Sequence, residues 1–159
     1  MNFRLINVGI ADLQVTKAPD ILRTVLGSCV SVCLYDPKAK VAGMAHIMLP
    51  EQKSEDSNPR KYADSAIPIL IEEMENAGAE RDRIVAKLAG GSVMFKVAEN
   101  SLMSEIGKNN IEKSREILEK LGFIIKGEDT GGDFGRTVDF FADNGVLKVK
   151  SMSKNERIV

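Results

Sequence analysis

Leu26-Gly27-Ser28-Cys29-Val30-Ser31-Val32-Cys33-Leu34-Tyr35-Asp36 sets Val30, Val32 and Leu34 in alternation with Ser31, Cys33 and Tyr35. A period of two predicts a half-buried β-strand. Gly27-Ser28, just ahead of it, lets the backbone turn tightly and leaves Cys29 where loop meets strand. A thiol held there can face a cleft while the strand keeps it still. Eleven residues after Tyr35 stands the one histidine of the chain, His46, inside a second apolar run, Val41 to Leu49. Asp36-Pro37-Lys38-Ala39-Lys40 joins the two runs as a hairpin or near-hairpin. Cys29 at the start of one strand and His46 near the end of the next then lie at the same end of a sheet. A Cys–His hydrolase needs that arrangement.

A chain of 159 residues predicts a single domain over residues 1–159, large enough to bury a core without disulfides or metal. With 43% hydrophobic and 28% charged residues, its composition is that of a soluble globular protein. A net charge of −1, with both signs interspersed, argues against nucleic acid and anionic membrane as partners. Two cysteines make no disulfide framework. On an extended strand Cys29 and Cys33 stand roughly 13 Å apart, at about 3.3 Å per residue, beyond the ~7 Å that a disulfide spans. Arg4, Asp12, Lys17 and Asp20 interrupt the apolar residues of the first segment, so no signal peptide is expected. No apolar run reaches the length of a membrane span, and the cytoplasm is the expected compartment.

Phe3 to Ile10 and Leu13 to Lys17 read as short strands, and Ile21 to Val25 leads into the Cys29 turn. Pro50 to Arg60 is a polar surface loop, either a rim beside the site or a plain connector. Ala63, Ala66, Ile67, Leu70, Ile71, Met74 and Ala77 form a helical stripe over Tyr62 to Ala77, closed by Gly78. Pro68 either sits in the first turn of a helix capped by Ser65 or lies inside a longer, bent helix from near Lys61, and the continued stripe favours the longer one. Arg83 to Ala89 is a strand ending in Gly90-Gly91, a close-approach or turn signal. Met94 to Ile106 carries no clear period, and a second helix is predicted from about Asn110 to Leu121. Phe123 to Asp129, Arg136 to Ala142 and Val146 to Ser151 read as strands, the last two joined by the hairpin turn Asp143-Asn144-Gly145. Ser153 to Val159 reads as a polar tail. The expected fold class is one α/β domain with two main helices.

Cysteine hydrolysis requires a thiolate, an imidazole to hold and return its proton, and donors for the oxyanion. Cys29 and His46 are the one pair with suitable placement. Residue types and spacing leave the alternative open that Cys29 is a small buried hydrophobe and His46 a satisfied core histidine. Cys33 is assigned to the core. A zinc site from Cys29, Cys33 and His46 lacks a fourth ligand and the usual spacing, so no metal is expected. Gly90-Gly91-Ser92 and Gly131-Gly132-Asp133-Phe134-Gly135 match neither phosphate-binding glycine pattern and are read as sharp turns.

The stretch LGSCVSVCLYD, followed by GMAHIMLP, resembles the signature of the CheD family, the chemoreceptor glutamine deamidases of bacterial chemotaxis. The likeness continues in KYADSAIPILIEEM, AKLAGGSVMF, IGKNNIEKSREILEKLG and EDTGGDFGRTVDF, and leaves only the termini free. The resemblance implies that Cys29 is the nucleophile and His46 the base, with a threonine hydroxyl as third member, for which Thr24 is the natural match. Some members have an extra glycine in this turn, so Thr24 here stands one residue closer to the cysteine. Asn109 stands where many relatives carry arginine, and Ser92 where many carry alanine.

The implied fold is an α/β/β sandwich with mixed sheets, similar to the deamidating cytotoxic necrotizing factor toxins. The implied activity is hydrolysis of specific glutamine side chains on the cytoplasmic helices of chemoreceptors, without a cofactor. On that expectation the Cys29 N–H, with Gly27 and Ser28 in support, stabilises the oxyanion. Met94 and Phe95 supply an apolar docking edge, for which core packing is the alternative. Two further readings stay open. The chain acts mainly as a binding module for the CheC phosphatase that the resemblance implies as a partner, or it hydrolyses receptor glutamyl methyl esters by the same acyl-enzyme chemistry.

Overall fold

A computed structural model describes residues 2–53, 58–94, 102–151 and 154–159. Its elements are β1 (Leu5–Asn7), β2 (Leu13–Lys17), β3 (Ile21–Leu26), β4 (Val30–Asp36), β5 (Val41–Ile47), α1 (Ala63–Asn76), β6 (Val85–Gly90), α2 (Leu102–Lys120), β7 (Ile124–Thr130), β8 (Arg136–Phe141), β9 (Leu147–Ser151) and β10 (Lys154–Ile158). The strands form two five-stranded sheets, ordered β2-β5-β4-β6-β7 and β1-β3-β8-β9-β10. Both sheets are mixed, with β6–β7 parallel in the first and β1–β3 parallel in the second. No helix among the described residues is long and apolar enough to cross a membrane.

Two apolar clusters define three layers. Val30, Val32, Leu34, Ala45 and Ile47 meet Ile67, Leu70, Ile71, Met74 and Leu118, so both helices cover one face of the first sheet. Cys33, Tyr35, Ala42 and Met44 meet Leu22, Leu26, Val138, Phe140 and Val149 across the gap between the sheets. The α/β/β order follows. It also corrects one expectation, because β4 is buried along its whole length rather than on one face. Its polar side meets the second sheet instead of solvent, and its polar groups find partners across the gap or along the strand itself. Tyr35 Oη donates to Ala142 O at 2.9 Å, and Cys33 Sγ lies 3.7 Å from Ser31 Oγ.

The stripe of α1 is buried as its spacing requires, and each fully buried Ile or Leu contributes about 1.5–3 kcal/mol. Gly43 lets the helix close on β5, since a Cβ there would stand 2.8 Å from Leu70 Cδ1 and from Met74 Sδ. The longer of the two helix alternatives holds, with Pro68 inside α1 and a separate 3₁₀ turn at Pro59–Lys61. Three boundaries differ clearly from the sequence reading. The first strand, expected over Phe3 to Ile10, is only Leu5–Asn7. Helix α2 begins eight residues before Asn110, because Gly107 and Asn110 occupy stripe positions that hold no large apolar side chain. The expected polar tail contains β10, which pairs antiparallel with β9. Polar residues suit an edge strand, which is why its period is not hydrophobic.

Candidate active site

Leu26 ends a strand of the second sheet and Val30 opens a strand of the first. Gly27-Ser28-Cys29 is therefore the connection by which the chain crosses between layers. Two backbone bonds bracket it, Gly91 N to Cys29 O at 2.8 Å and Ser92 N to Gly27 O at 2.9 Å. Gly90 has φ +105°, and a Cβ there would lie 2.3 Å from Cys29 O. Only glycine permits this approach, so Gly90-Gly91 is the close contact that its sequence suggested.

His46 pairs with Ser31 in the β4–β5 ladder, which runs from Val30↔Ile47 to Asp36↔Val41. Cys29 lies two residues before Ser31, one diagonal step from His46 at the open end of the hairpin. Thr24 comes from the other sheet, with its hydroxyl turned inward between Leu22 and Leu26. Thr24 Oγ1 lies 2.7 Å from His46 Nδ1 and also 2.7 Å from Val8 O. A hydroxyl has one hydrogen, and the Val8 carbonyl can only accept it. His46 Nδ1 must then be the protonated nitrogen, donating to Thr24 Oγ1, and Nε2 is a bare acceptor. Nε2 is buried and has no hydrogen-bond partner among the described residues. The shorter turn does not prevent Thr24 from reaching the imidazole.

Burial pushes the Cys29 thiol above its ordinary range. Burial also pulls the His46 imidazole down, against an opposing pull from the Val8 carbonyl. Both shifts favour the uncharged forms of thiol and imidazole. Cys33, fully buried between the sheets, is pushed up to about 12 by loss of solvent, outweighing Ser31 and Lys87. Cys29 and Cys33 are both free, and only Cys29 is partly exposed. Among the described residues, no three His, Cys, Asp or Glu side chains are grouped to hold a metal.

Two supports of the turn were not legible in the sequence. Arg136, itself buried, donates from Nη1 to Ser92 Oγ at 2.8 Å and from Nε to Asp129 Oδ1 at 2.9 Å. Ser92 Oγ donates to Phe134 O at 2.6 Å, which ties the bracketing segment to the loop Gly131-Gly132-Asp133-Phe134-Gly135. These two glycine-rich loops bind each other, through Gly131 N to Gly90 O and Val93 N to Gly132 O. The second support is Asn110 of α2, whose Nδ2 donates to Ser28 O at 3.0 Å and Met48 O at 3.1 Å. Its signal lay in the period of the helix, since Gly107, Asn110, Ser114 and Leu118 share the buried face.

Around the turn the surface is apolar. Val25 is 67% exposed, and Met48, Val93 and Met94 are exposed as well. Met94 lies against the turn, with its Cγ 3.2 Å from where a Cβ on Gly27 would stand. It borders a groove of about 560 Å³ that is also lined by Val25, Phe134, Thr137, Arg23 and Lys150. Phe95 lies outside the described residues.

The family profile described as CheD chemotactic sensory transduction matches residues 48–151. The chain is 48% identical to the probable chemoreceptor glutamine deamidase CheD of Caldanaerobacter subterraneus subsp. tengcongensis, covering 100% of both chains. It is 44% identical to the protein of the same description from Methanococcus vannielii, over 97% of this chain and 99% of the relative. The chemoreceptor glutamine deamidase CheD of Halalkalibacterium halodurans is 43% identical, over 96% and 97%. Among solved structures, the Bacillus licheniformis hypothetical protein YfiH is similar at TM-score 0.48 and 15% identity, over 80% of this chain and 59% of that one. The chain belongs to the CheD family.

Proposed function

We propose that this member of the CheD family is a chemoreceptor glutamine deamidase, with residues 1–159 acting as one cytoplasmic domain and Cys29 and His46 as its catalytic pair. The observation that carries the reading is the chain of contacts His46 Nδ1, Thr24 Oγ1, Val8 O. It leaves His46 Nε2 unprotonated and unpartnered at the end of the hairpin where the part-exposed thiol stands. Nε2 takes the proton from Cys29 Sγ as the sulfur attacks the carboxamide carbon of a glutamine side chain. The Cys29 N–H, on the turn that Gly27 and Ser28 form, stabilises the resulting oxyanion. The proton then passes to the leaving nitrogen and ammonia departs, which leaves a thioester. Water attacks the thioester with His46 as base, releasing glutamate and restoring the thiol.

Thr24 holds the imidazole in the productive tautomer, the task a carboxylate performs in other triads. A neutral hydroxyl supports an imidazolium less than a carboxylate does, so modest turnover is expected. The open apolar rim of Val25, Met48 and Met94 suits a glutamine carried on a folded helix better than a small amide in a closed cavity.

The test is the intact mass of a purified chemoreceptor cytoplasmic domain before and after incubation. Exchange of carboxamide for carboxylate at one or more glutamines is expected, read as a small mass gain, whereas hydrolysis of methyl esters would give a mass loss instead. Cys29→Ala and His46→Ala each bring deamidation down to background while the far-UV circular dichroism is retained. Substantial deamidation by Cys29→Ala would remove Cys29 as the nucleophile.

A further inference from the structure

We infer that Asn110 is a positioning residue for the reaction, an amide clamp that sets the nucleophile's turn against the strand carrying the base. The inference rests on the Cys29–His46 reading above. The β4–β5 ladder ends at the pair Val30↔Ile47. Ser28 and Met48 lie just beyond that last pair, where strand-to-strand bonding has stopped. Asn110 continues the connection, because its two Nδ2 hydrogens go to the carbonyls of these two residues. One carbonyl is a single residue before Cys29 and the other two residues after His46. A short polar bridge therefore spans the two chain segments whose separation decides whether proton transfer is possible.

Nothing else about Asn110 explains its place. It is fully buried in a helix, where asparagine has poor intrinsic propensity. Its Oδ1 is buried with no hydrogen-bond partner among the described residues, which is unfavourable. The reversed amide would set Oδ1 against two carbonyl oxygens, so the orientation is the one the carbonyls demand. What the side chain offers is its pair of donors. The helix that carries it is held in turn, since a Cβ on Gly107 would stand 2.6 Å from the carbonyl oxygens of Gly91 and Ser92. Helix α2 thus touches the turn's glycine bracket through Gly107 and the turn itself through Asn110.

The experiment compares Asn110→Ala and Asn110→Asp with the unaltered protein and with Cys29→Ala, on a purified chemoreceptor cytoplasmic domain. Asn110→Ala is expected to lower kcat about tenfold to a hundredfold, the scale of a small misplacement of reacting groups, with KM unchanged because the apolar rim is intact. Asn110→Asp keeps one donor while its carboxyl is protonated and none when it is ionised. Its kcat is therefore expected to fall as pH rises, on a limb that the unaltered protein lacks. A kcat within about twofold in Asn110→Ala, or a change confined to KM, overturns the inference. If Asn110→Ala does not fold, the pH profile of Asn110→Asp decides, and a profile parallel to that of the unaltered protein overturns it. Deamidation surviving in Cys29→Ala would refute the reading of the site itself. An inactive Cys29→Ala beside fully active Asn110 variants would refute only the clamp.

Discussion

The two ends of the β4–β5 hairpin are built from the same strands and treat their buried polar groups in opposite ways. At the turn end, Asp36 is wholly buried and fully bonded. Its carboxylate accepts from Lys38 N at 2.9 Å, Ala39 N at 3.1 Å, Glu80 N at 2.9 Å and Arg83 Nε at 3.0 Å. Burial alone would push its pKa up, but Arg83 and these backbone groups outweigh it and hold the carboxyl well below the usual range. At the open end, His46 Nε2 and Asn110 Oδ1 are buried with no partner among the described residues, and Met48 and Met94 are exposed. The closed end uses its polar groups for stability. The open end keeps acceptor capacity unspent, which is the condition for chemistry and recognition there.

If that division is right, the two ends fail in different measurements. The largest effect belongs to the closed end. Asp36→Ala takes the buried acceptor from three N–H groups and leaves Arg83 with only its exposed partner Glu80, and is expected to remove about 3–5 kcal/mol of stability. Its deamidation rate per folded molecule should stay near that of the parent. Because the Asp36 pKa is lowered by folding, its contribution is complete above the ordinary carboxyl value near 4 and is lost as pH falls below it. Chemical denaturation at several pH values measures this. A variant as stable as the parent would dissolve the comparison.

Next comes Thr24→Ala, which acts on rate. It is expected to lower kcat roughly tenfold to a thousandfold, about 1.4–4 kcal/mol of barrier, and Thr24→Ser should recover much of that. An unchanged rate and pH profile in Thr24→Ala would mean that a backbone carbonyl orients His46 instead. The smallest effect is in the pH dependence. Since burial lowers the His46 pKa and raises that of Cys29, kcat/KM should hold a plateau that begins below the ordinary histidine value of about 6.5. Iodoacetamide should modify Cys29 before Cys33, and slowly at mildly acid pH. Rapid modification there would show a preformed ion pair and reverse the electrostatic account.

Most of the strands were legible because their signals are local. The alternation of Val30 to Tyr35, the turn residues Asp36 to Lys40 and the Asp143-Asn144-Gly145 hairpin each specify their own geometry. Helix α2 was read short because Gly107 and Asn110 break the apolar stripe, and both are there for contacts made to another segment. Strand β10 was missed because an edge strand need not alternate, and because its pairing with β9 is irregular between Lys154 and Arg157.

The sequence by itself pointed to Cys29 and His46 at one end of a hairpin, since two extended runs joined by a short turn read as a hairpin or near-hairpin. The tertiary structure decided what surrounds them. That Thr24 of the second sheet meets His46 Nδ1 depends on which faces of two sheets oppose each other. That Asn110 reaches Ser28 and Met48 depends on where a helix from late in the chain crosses the first sheet. Periodicity assigns a residue to a face, but the partner of that face is chosen by the packing of whole layers, through contacts between segments far apart in the chain.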